Sequence, residues 1–249
     1  MIHNDFIFGI RAVLEAVEAG KEIDKILIKK DLQGELAQEL FAAVKGLPVS
    51  VQRVPIEKLN RLTRKNHQGV IAFISPVAYQ RITDIVPLLY EEGKLPFIVL
   101  LDGLTDVRNF GAIARTCECA GVDAIVIPER GSVSVTADAV KTSAGALLHI
   151  PVCRERSIAD ALRYLQNSGV RIVAASEKAE VAYTAIDYTV PTAIVMGAED
   201  VGISPQTMRL CEEQVSLPQM GRIGSLNVSV AAGIMIYEVV RQRMARHTE

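Results

Sequence analysis

Phe97-Ile98-Val99-Leu100-Leu101 places five apolar residues in a row. A strand of that composition cannot keep one side in water, so it needs cover on both faces. Shorter strand-like segments follow at Ala124–Ile127, Arg171–Ala175, Ala193–Met196 and Gln214–Leu217. Helical spacing fills the intervals: from about Asn109 to Ala120, Ala137–Ala146, Ile158–Asn167 and a final helix Leu226–Arg246. In that last helix Leu226, Val230, Ile234, Tyr237 and Val240 form one apolar stripe. Such alternation predicts an α/β fold, with a mainly parallel sheet and helices on both faces.

The preceding residues read as a separate, smaller α/β unit. Ile10, Val13, Leu14 and Val17 fall at helical spacing, and Asp24–Lys30 alternates as a strand. Leu36, Leu40 and Val44 give a second helix, then come a strand around Val49–Val54, a short helix Ile56–Leu62 and a strand Val70–Ile74. Residues 77–94 carry Pro87, Glu91-Glu92-Gly93-Lys94 and then Pro96, the pattern of a connector with one short helix. The organisation predicted is a domain over 1–76, a linker over 77–94 and a larger domain over 95–249.

Composition narrows the function classes. A net charge of −2 with 22% charged residues excludes an overall basic nucleic-acid binder, so any RNA affinity must be local. The cysteines, at 117, 119, 153 and 211, lack the C-x-x-C spacing of a zinc site, and the histidines (3, 67, 149, 247) are dispersed. No metal is expected. The start of the chain has no charged-then-apolar signal pattern, and no apolar run reaches the ~18 residues of a membrane span. A soluble cytoplasmic protein with reduced thiols is the expectation.

In open α/β sheets, ligands sit beyond the carboxyl ends of the strands. Three such loops are rich in glycine or polar residues: Ala175-Ser176-Glu177, Gly197–Gly202, and Leu217–Ser225. None carries G-x-G-x-x-G or G-x-x-x-x-G-K-[ST], which disfavours a nicotinamide enzyme or a nucleotide triphosphatase. Much backbone and little fixed charge suit a neutral, flat ligand held by main-chain hydrogen bonds.

Three stretches match one family in order and spacing: Asp102-x3-Asp106-x2-Asn109-x-Gly111-Ala112-Ile113-x-Arg115-Thr116, then Val195-Met196-Gly197-x-Glu199-x2-Gly202, then Leu217-Pro218 with Ser225-Leu226-Asn227-Val228-Ser229-Val230-Ala231. The chain resembles the SpoU (TrmH) family of RNA ribose 2′-O-methyltransferases, of the SPOUT class, over about residues 97–245. Its first segment is similar to the family's small substrate-binding domain, of the ribosomal L30e/L7Ae type. The resemblance implies S-adenosylmethionine as methyl donor, a deep trefoil knot at the carboxyl end, and a homodimer with its knotted faces packed together. It implies donor contacts at Ser176, Gly197, Leu217 and Leu226. With the small domain attached, it points to a guanosine of 23S rRNA as target. A tRNA guanosine enzyme and a resistance enzyme methylating an rRNA adenosine are same-chemistry alternatives; a non-catalytic RNA-binding assembly factor is the different-class one. One departure is Gly224, where the family often has Ser.

Within that frame, Arg115 is expected to grip the target ribose or an adjacent phosphate, because a planar five-donor fork suits phosphate. A pKa above about 12 makes it a poor general base. Asn109 is either the cap of its helix, a site residue, or both. Glu199 is expected to hold Arg115, Asn109 or the nucleoside, with Asp200 a surface acid. Ser225 is either the cap of the last helix or a site residue, and Asn227 would sit inside the first turn, where an asparagine gains little; the resemblance implies that both belong with Arg115, Asn109 and Glu199 to the catalytic set. Arg61, Arg64, Lys65, Asn66, His67 and Gln68 form the one dense basic-polar run, a candidate RNA phosphate contact. Aromatic residues are not interleaved there, so base stacking is not predicted from the run itself.

Overall fold

The computed structural model of the chain describes residues 6–47 and 49–246; His3 and His247 fall outside them. The chain forms two compact units. One holds the residues up to Ala78 together with Ser134–Asp138, and the other holds Tyr79–Val133 and the residues from Ala139 onward.

The smaller unit runs β1 (Phe6–Phe8), α1 (Ile10–Glu18), β2 (Ile23–Lys29), α2 (Glu35–Ala43), β3 (Ser50–Val54), α3 (Ile56–Leu62) and β4 (Val70–Ile74). Its sheet has the order β1-β4-β2-β3, antiparallel except for the β2/β3 pair. Ile26, Ile28, Val70 and Ala72 pack with Ile10, Val13 and Leu14 of α1 and Leu40 of α2. The opposite face carries Leu27, Val54 and Ile71, which pack with Leu59 of α3. β1 was not anticipated; three residues are too few to show a period of two.

The larger unit runs α4 (Ile82–Glu91), β5 (Phe97–Asp102), α5 (Val107–Cys119), β6 (Ala124–Pro128), α6 (Ala137–Thr142), β7 (Val152–Glu155), α7 (Ile158–Asn167), β8 (Arg171–Ala175), β9 (Val181–Ala182), β10 (Thr192–Gly197), α8 (Pro205–Met208), β11 (Glu213–Ser216) and α9 (Val228–Arg246). Seven strands order as β7-β6-β5-β10-β8-β11-β9, and every pair is parallel. The continuous apolar runs occupy the middle of this sheet, where both faces are covered: Ile98 to Leu101 and Ala193 to Val195 are fully buried. The edge strands β7 and β9 were not anticipated. β7 interrupts its apolar pattern with Arg154, and β9 is two exposed residues.

Three further expectations need correcting. The segment read as a connector contributes core: Ile82, Ile85, Val86 and Leu89 of α4 belong to the main hydrophobic cluster. Pro87 inside α4 cannot bond the carbonyl four residues back. That carbonyl, of Thr83, instead accepts the Tyr164 hydroxyl of α7 at 3.3 Å. The helix expected over Ala137–Ala146 stops at Thr142, because Ala144 and Gly145 both take positive φ; a short 3-10 turn then follows at Ala146–Leu148. Finally, α9 buries Val228, Ala232, Met235, Ile236 and Val239, while Val230, Ile234 and Tyr237 of the stripe read from the sequence stand exposed. The helix is apolar on two sides, and sequence spacing does not say which side faces the sheet. Among the described residues no helix is long and apolar enough to cross a membrane.

Candidate active site

The carboxyl ends of β8, β10 and β11 converge with the start of α9 around a cleft of about 370 Å³. Ser176, Gly197, Leu217 and Leu226 all line it, as do Glu199 and Ser225. Strand order explains the convergence. β10 is inserted between β5 and β8, and β11 lies beyond β8, so loops distant in sequence leave neighbouring strands on one edge. Glu177 and Gln219, from the loops read in the sequence, also line the cleft, and so do Lys178, Val228 and Ala231, which lie outside those loops. None of them has a local pattern that separates it from an ordinary loop or helix residue.

The loop after β10 is tight. Ala198 N–H donates to the Gly202 carbonyl at 3.1 Å, and Gly202 N–H returns to the Ala198 carbonyl at 2.9 Å. Its far end is pinned to β5, where Ser204 N–H donates to Asp102 Oδ2 at 2.8 Å. A Cβ on residue 197 would overlap the Gly202 carbonyl carbon and the Ile203 nitrogen, so only glycine lets the loop close there.

Across the mouth of this loop three side chains join. Asn227 Nδ2 donates to Glu199 Oε1 at 2.6 Å and to Asn109 Oδ1 at 3.1 Å. Asn227 Oδ1 accepts the Ser229 N–H at 3.0 Å and the Ser229 hydroxyl at 2.5 Å. Asn227 is therefore the cap of α9, which starts one residue later, and its amide is fully engaged. This excludes the cap reading of Ser225, which stands two residues before the cap in an exposed part of the cleft wall. It also supplies the local reason for Asn227 that the sequence did not.

Asn109 is not the cap of α5. Asp106 is, accepting the Asn109 N–H at 2.8 Å. The Asn109 side chain is free of that duty, and Asn227 holds its carbonyl oxygen, which turns its Nδ2 hydrogens toward other partners. Loss of the Asp106 cap should loosen the turn that carries Asn109. Asp106→Ala is expected to cost about 1 kcal/mol of unfolding free energy, measured by urea denaturation. α5 packs against α9, and Gly111 makes room for α6: a Cβ there would lie 2.7 Å from Thr142 Cβ.

Arg115 is exposed on α5, outside the cleft wall, and its side chain makes no hydrogen bond or ion pair among the described residues. The expectation that Glu199 holds Arg115 is not met in this arrangement; Glu199 bonds Asn227 instead. Asp200 is exposed. Thiol chemistry at the three buried cysteines is disfavoured: burial pushes Cys153 and Cys211 up to about 12 and Cys117 higher still, so none of the three is a thiolate at neutral pH. Among the described residues no group of His, Cys, Asp and Glu is placed to hold a metal ion.

Residues 96–237 match the SpoU rRNA methylase family, more than half of the chain. The chain belongs to the SpoU methylase family. Residues 6–80 match the RNA 2′-O ribose methyltransferase substrate-binding domain. A protein of Staphylococcus saprophyticus described as a TrmH family tRNA/rRNA methyltransferase is 37% identical over 95% of both chains. The Bacillus subtilis protein YacO, described in the same terms, is 33% identical over 96% of both. Among solved structures, the SpoU methyltransferase AviRb of Streptomyces viridochromogenes, in complex with AdoMet, aligns with a TM-score of 0.62 at 25% identity, covering 96% of this chain and 90% of its own. The AdoMet-bound rRNA methyltransferase of Sinorhizobium meliloti aligns at 0.60 and 27%, covering 95% and 86%. This SpoU chain is thus an RNA ribose 2′-O-methyltransferase with the family's substrate-binding domain at its amino end.

In the smaller unit the basic-polar run divides. Arg61, Arg64 and Lys65 are exposed. His67 is buried, and both its ring nitrogens are taken: Nδ1 accepts the Gly69 N–H at 3.0 Å and Nε2 pairs with Asn60 Oδ1 at 2.9 Å. Gln68 Oε1 likewise accepts the Ile10 N–H at 3.1 Å. These two side chains hold the loop, so His67, expected as an RNA contact, is better read as its staple.

Proposed function

We propose that this SpoU enzyme transfers a methyl group from S-adenosylmethionine to the 2′-hydroxyl of a guanosine in 23S rRNA. The observation that carries the site assignment is the junction of Asn227, Asn109 and Glu199 at the mouth of a cleft walled by Ser176, Gly197, Leu217 and Leu226. The cleft fits the donor: it has room for an adenosine-sized ligand, a wall held by the tight turn at Gly197 that a Cβ would break, and the polar side chains of Ser176, Glu199, Gln219 and Ser225 along its lining. When bound, S-adenosylmethionine supplies a methyl group already activated on a sulfonium. The chain's own residues need mainly to place the ribose oxygen in line, and placement supplies much of the rate.

Arg115 binds and orients the target ribose or its phosphate and offsets charge that develops there. Asn109 offers its Nδ2 donors, and Asn227 holds Asn109 and Glu199 in register. Glu199 keeps a second carboxylate oxygen for the nucleoside. The exposed Arg61, Arg64 and Lys65 contact phosphates of the RNA.

The same reading includes the trefoil knot and a homodimer. The insertion of β10 between β5 and β8 supports the first. The exposed stripe Val230, Ile234 and Tyr237 on α9 supports the second, since a partner copy would cover it. Transfer of tritium-labelled methyl from S-adenosylmethionine tests the substrate: deproteinised 23S rRNA should label far more strongly than tRNA. Labelling of tRNA alone would move the target there, and no labelling of either would sink the reading.

A further inference from the structure

The α3 side of the small sheet is only partly covered. Pairing registers put Phe6, Phe73 and Lys25 in one cross-strand row, and Phe8, Ile71 and Leu27 in the next. The seven-residue helix α3 lays Leu59 over Leu27, Val54 and Ile71. Phe6, Phe8 and Phe73 are left half-buried, with ring centroids 5.9 Å apart for Phe6 and Phe73 and 6.3 Å for Phe6 and Phe8. Two cations stand on these rings: Lys25 Nζ is 4.7 Å from the Phe73 centroid and Lys65 Nζ is 5.9 Å from that of Phe8. Lys65 belongs to the basic-polar run that also holds the exposed Arg61 and Arg64.

We propose that this face is a binding site for single-stranded RNA, in which Lys25 and Lys65 swing off the rings of Phe73 and Phe8 to meet the flanking phosphates with Arg64, and unpaired bases take their place on the rings. The proposal rests on the enzyme acting on RNA and adds which form of RNA the small unit grips. Aromatic rings stack on any base, and cations beside them offset the phosphates, which is how strands without secondary structure are held. A duplex hides its base faces and could use only the lysines and arginine. A protein partner would not need two cations placed on an aromatic cluster.

The test compares the full chain's affinity for a fluorescein-labelled oligoadenylate of about 12 nucleotides with its affinity for the same strand annealed to its oligouridylate complement. Phe8→Leu and Phe73→Leu, which keep apolar bulk, should each weaken single-strand binding about tenfold and leave duplex binding unchanged. Phe8→Tyr, which keeps a π face, should retain affinity. Lys65→Ala should weaken both ligands and flatten the salt dependence. If a leucine variant fails to fold, photocross-linking of the unmodified chain to an oligonucleotide carrying 4-thiouridine should map to β1 and β4. Equal loss for strand and duplex, no loss for either, or cross-links confined elsewhere would overturn the site. A change in oligomeric mass with single-strand affinity intact would instead assign the face to a protein contact. Methyl transfer by the unmodified chain is scored separately, so loss of this site leaves the proposed activity standing.

Discussion

Replacing Arg115 with alanine is expected to slow methyl transfer about 10²–10³-fold and leave donor affinity within about twofold. The two effects separate because of where Arg115 stands. It does not line the cleft, and no bond among the described residues depends on it. Truncating an exposed, unpaired side chain changes stability by about 0.5 kcal/mol or less. What is lost is an unspent five-donor guanidinium on α5, the helix that reaches the Asn227 junction through Asn109. Arg115→Lys keeps the charge but not the planar fork, so it should recover little of the rate if the contact is bidentate. Single-turnover transfer and calorimetric titration with S-adenosylmethionine measure the two quantities. A parallel fall in both, or a lowered melting temperature, would make Arg115 a structural residue.

The larger sheet was legible because its central strands are buried on both faces and therefore read as unbroken apolar runs: Phe97–Leu101 and Ala193–Met196 needed no partner information. Edge strands carry no such mark. β7 admits Arg154, β9 has two residues, and β1 has three. Strand order was not legible either, because nothing in Thr192–Gly197 says that it will lie between β5 and β8. In α9 two apolar stripes compete, and the one with the larger residues is the exposed one. Burial there is decided by the sheet and by α5, not by the helix's own pattern.

The site shows the same division. Gly197 and Gly202 flag a constrained loop in the sequence, and the family likeness names the residues around them. The bonds of Asn227 to Glu199 and Asn109 span 28 and 118 positions, and only the fold brings them into reach. Capping was misplaced by three residues in α5, because Asp106 and Asn109 are equally good caps and the first turn could begin after either. Likewise the aromatic face is invisible beside Arg61–Gln68: its rings come from β1 and β4, on either side of the run in sequence.

Gly197→Ala should weaken S-adenosylmethionine binding about 10–100-fold, the equivalent of about 1–3 kcal/mol of overpacking. The added methyl would meet the backbone of Gly202 and Ile203, which cannot rotate away as a flexible side chain could. To admit it, the paired bonds between Ala198 and Gly202 must open, and the bond from Ser204 to Asp102 must shift. Glu199 rides on that loop, so its bond to Asn227 should be disturbed and transfer should fall further than donor affinity alone requires. Gly224 provides the control. It lines the same cleft, yet a Cβ there meets nothing within 4 Å. Gly224→Ser, which installs the residue common in the SpoU family, should leave donor affinity within about twofold. Calorimetric titration of the two variants separates a steric wedge from a general intolerance of side chains in the cleft. Equal losses would show that the fit of the loop after β10 does not govern donor binding, and an unimpaired Gly197→Ala variant would show that the loop opens without cost.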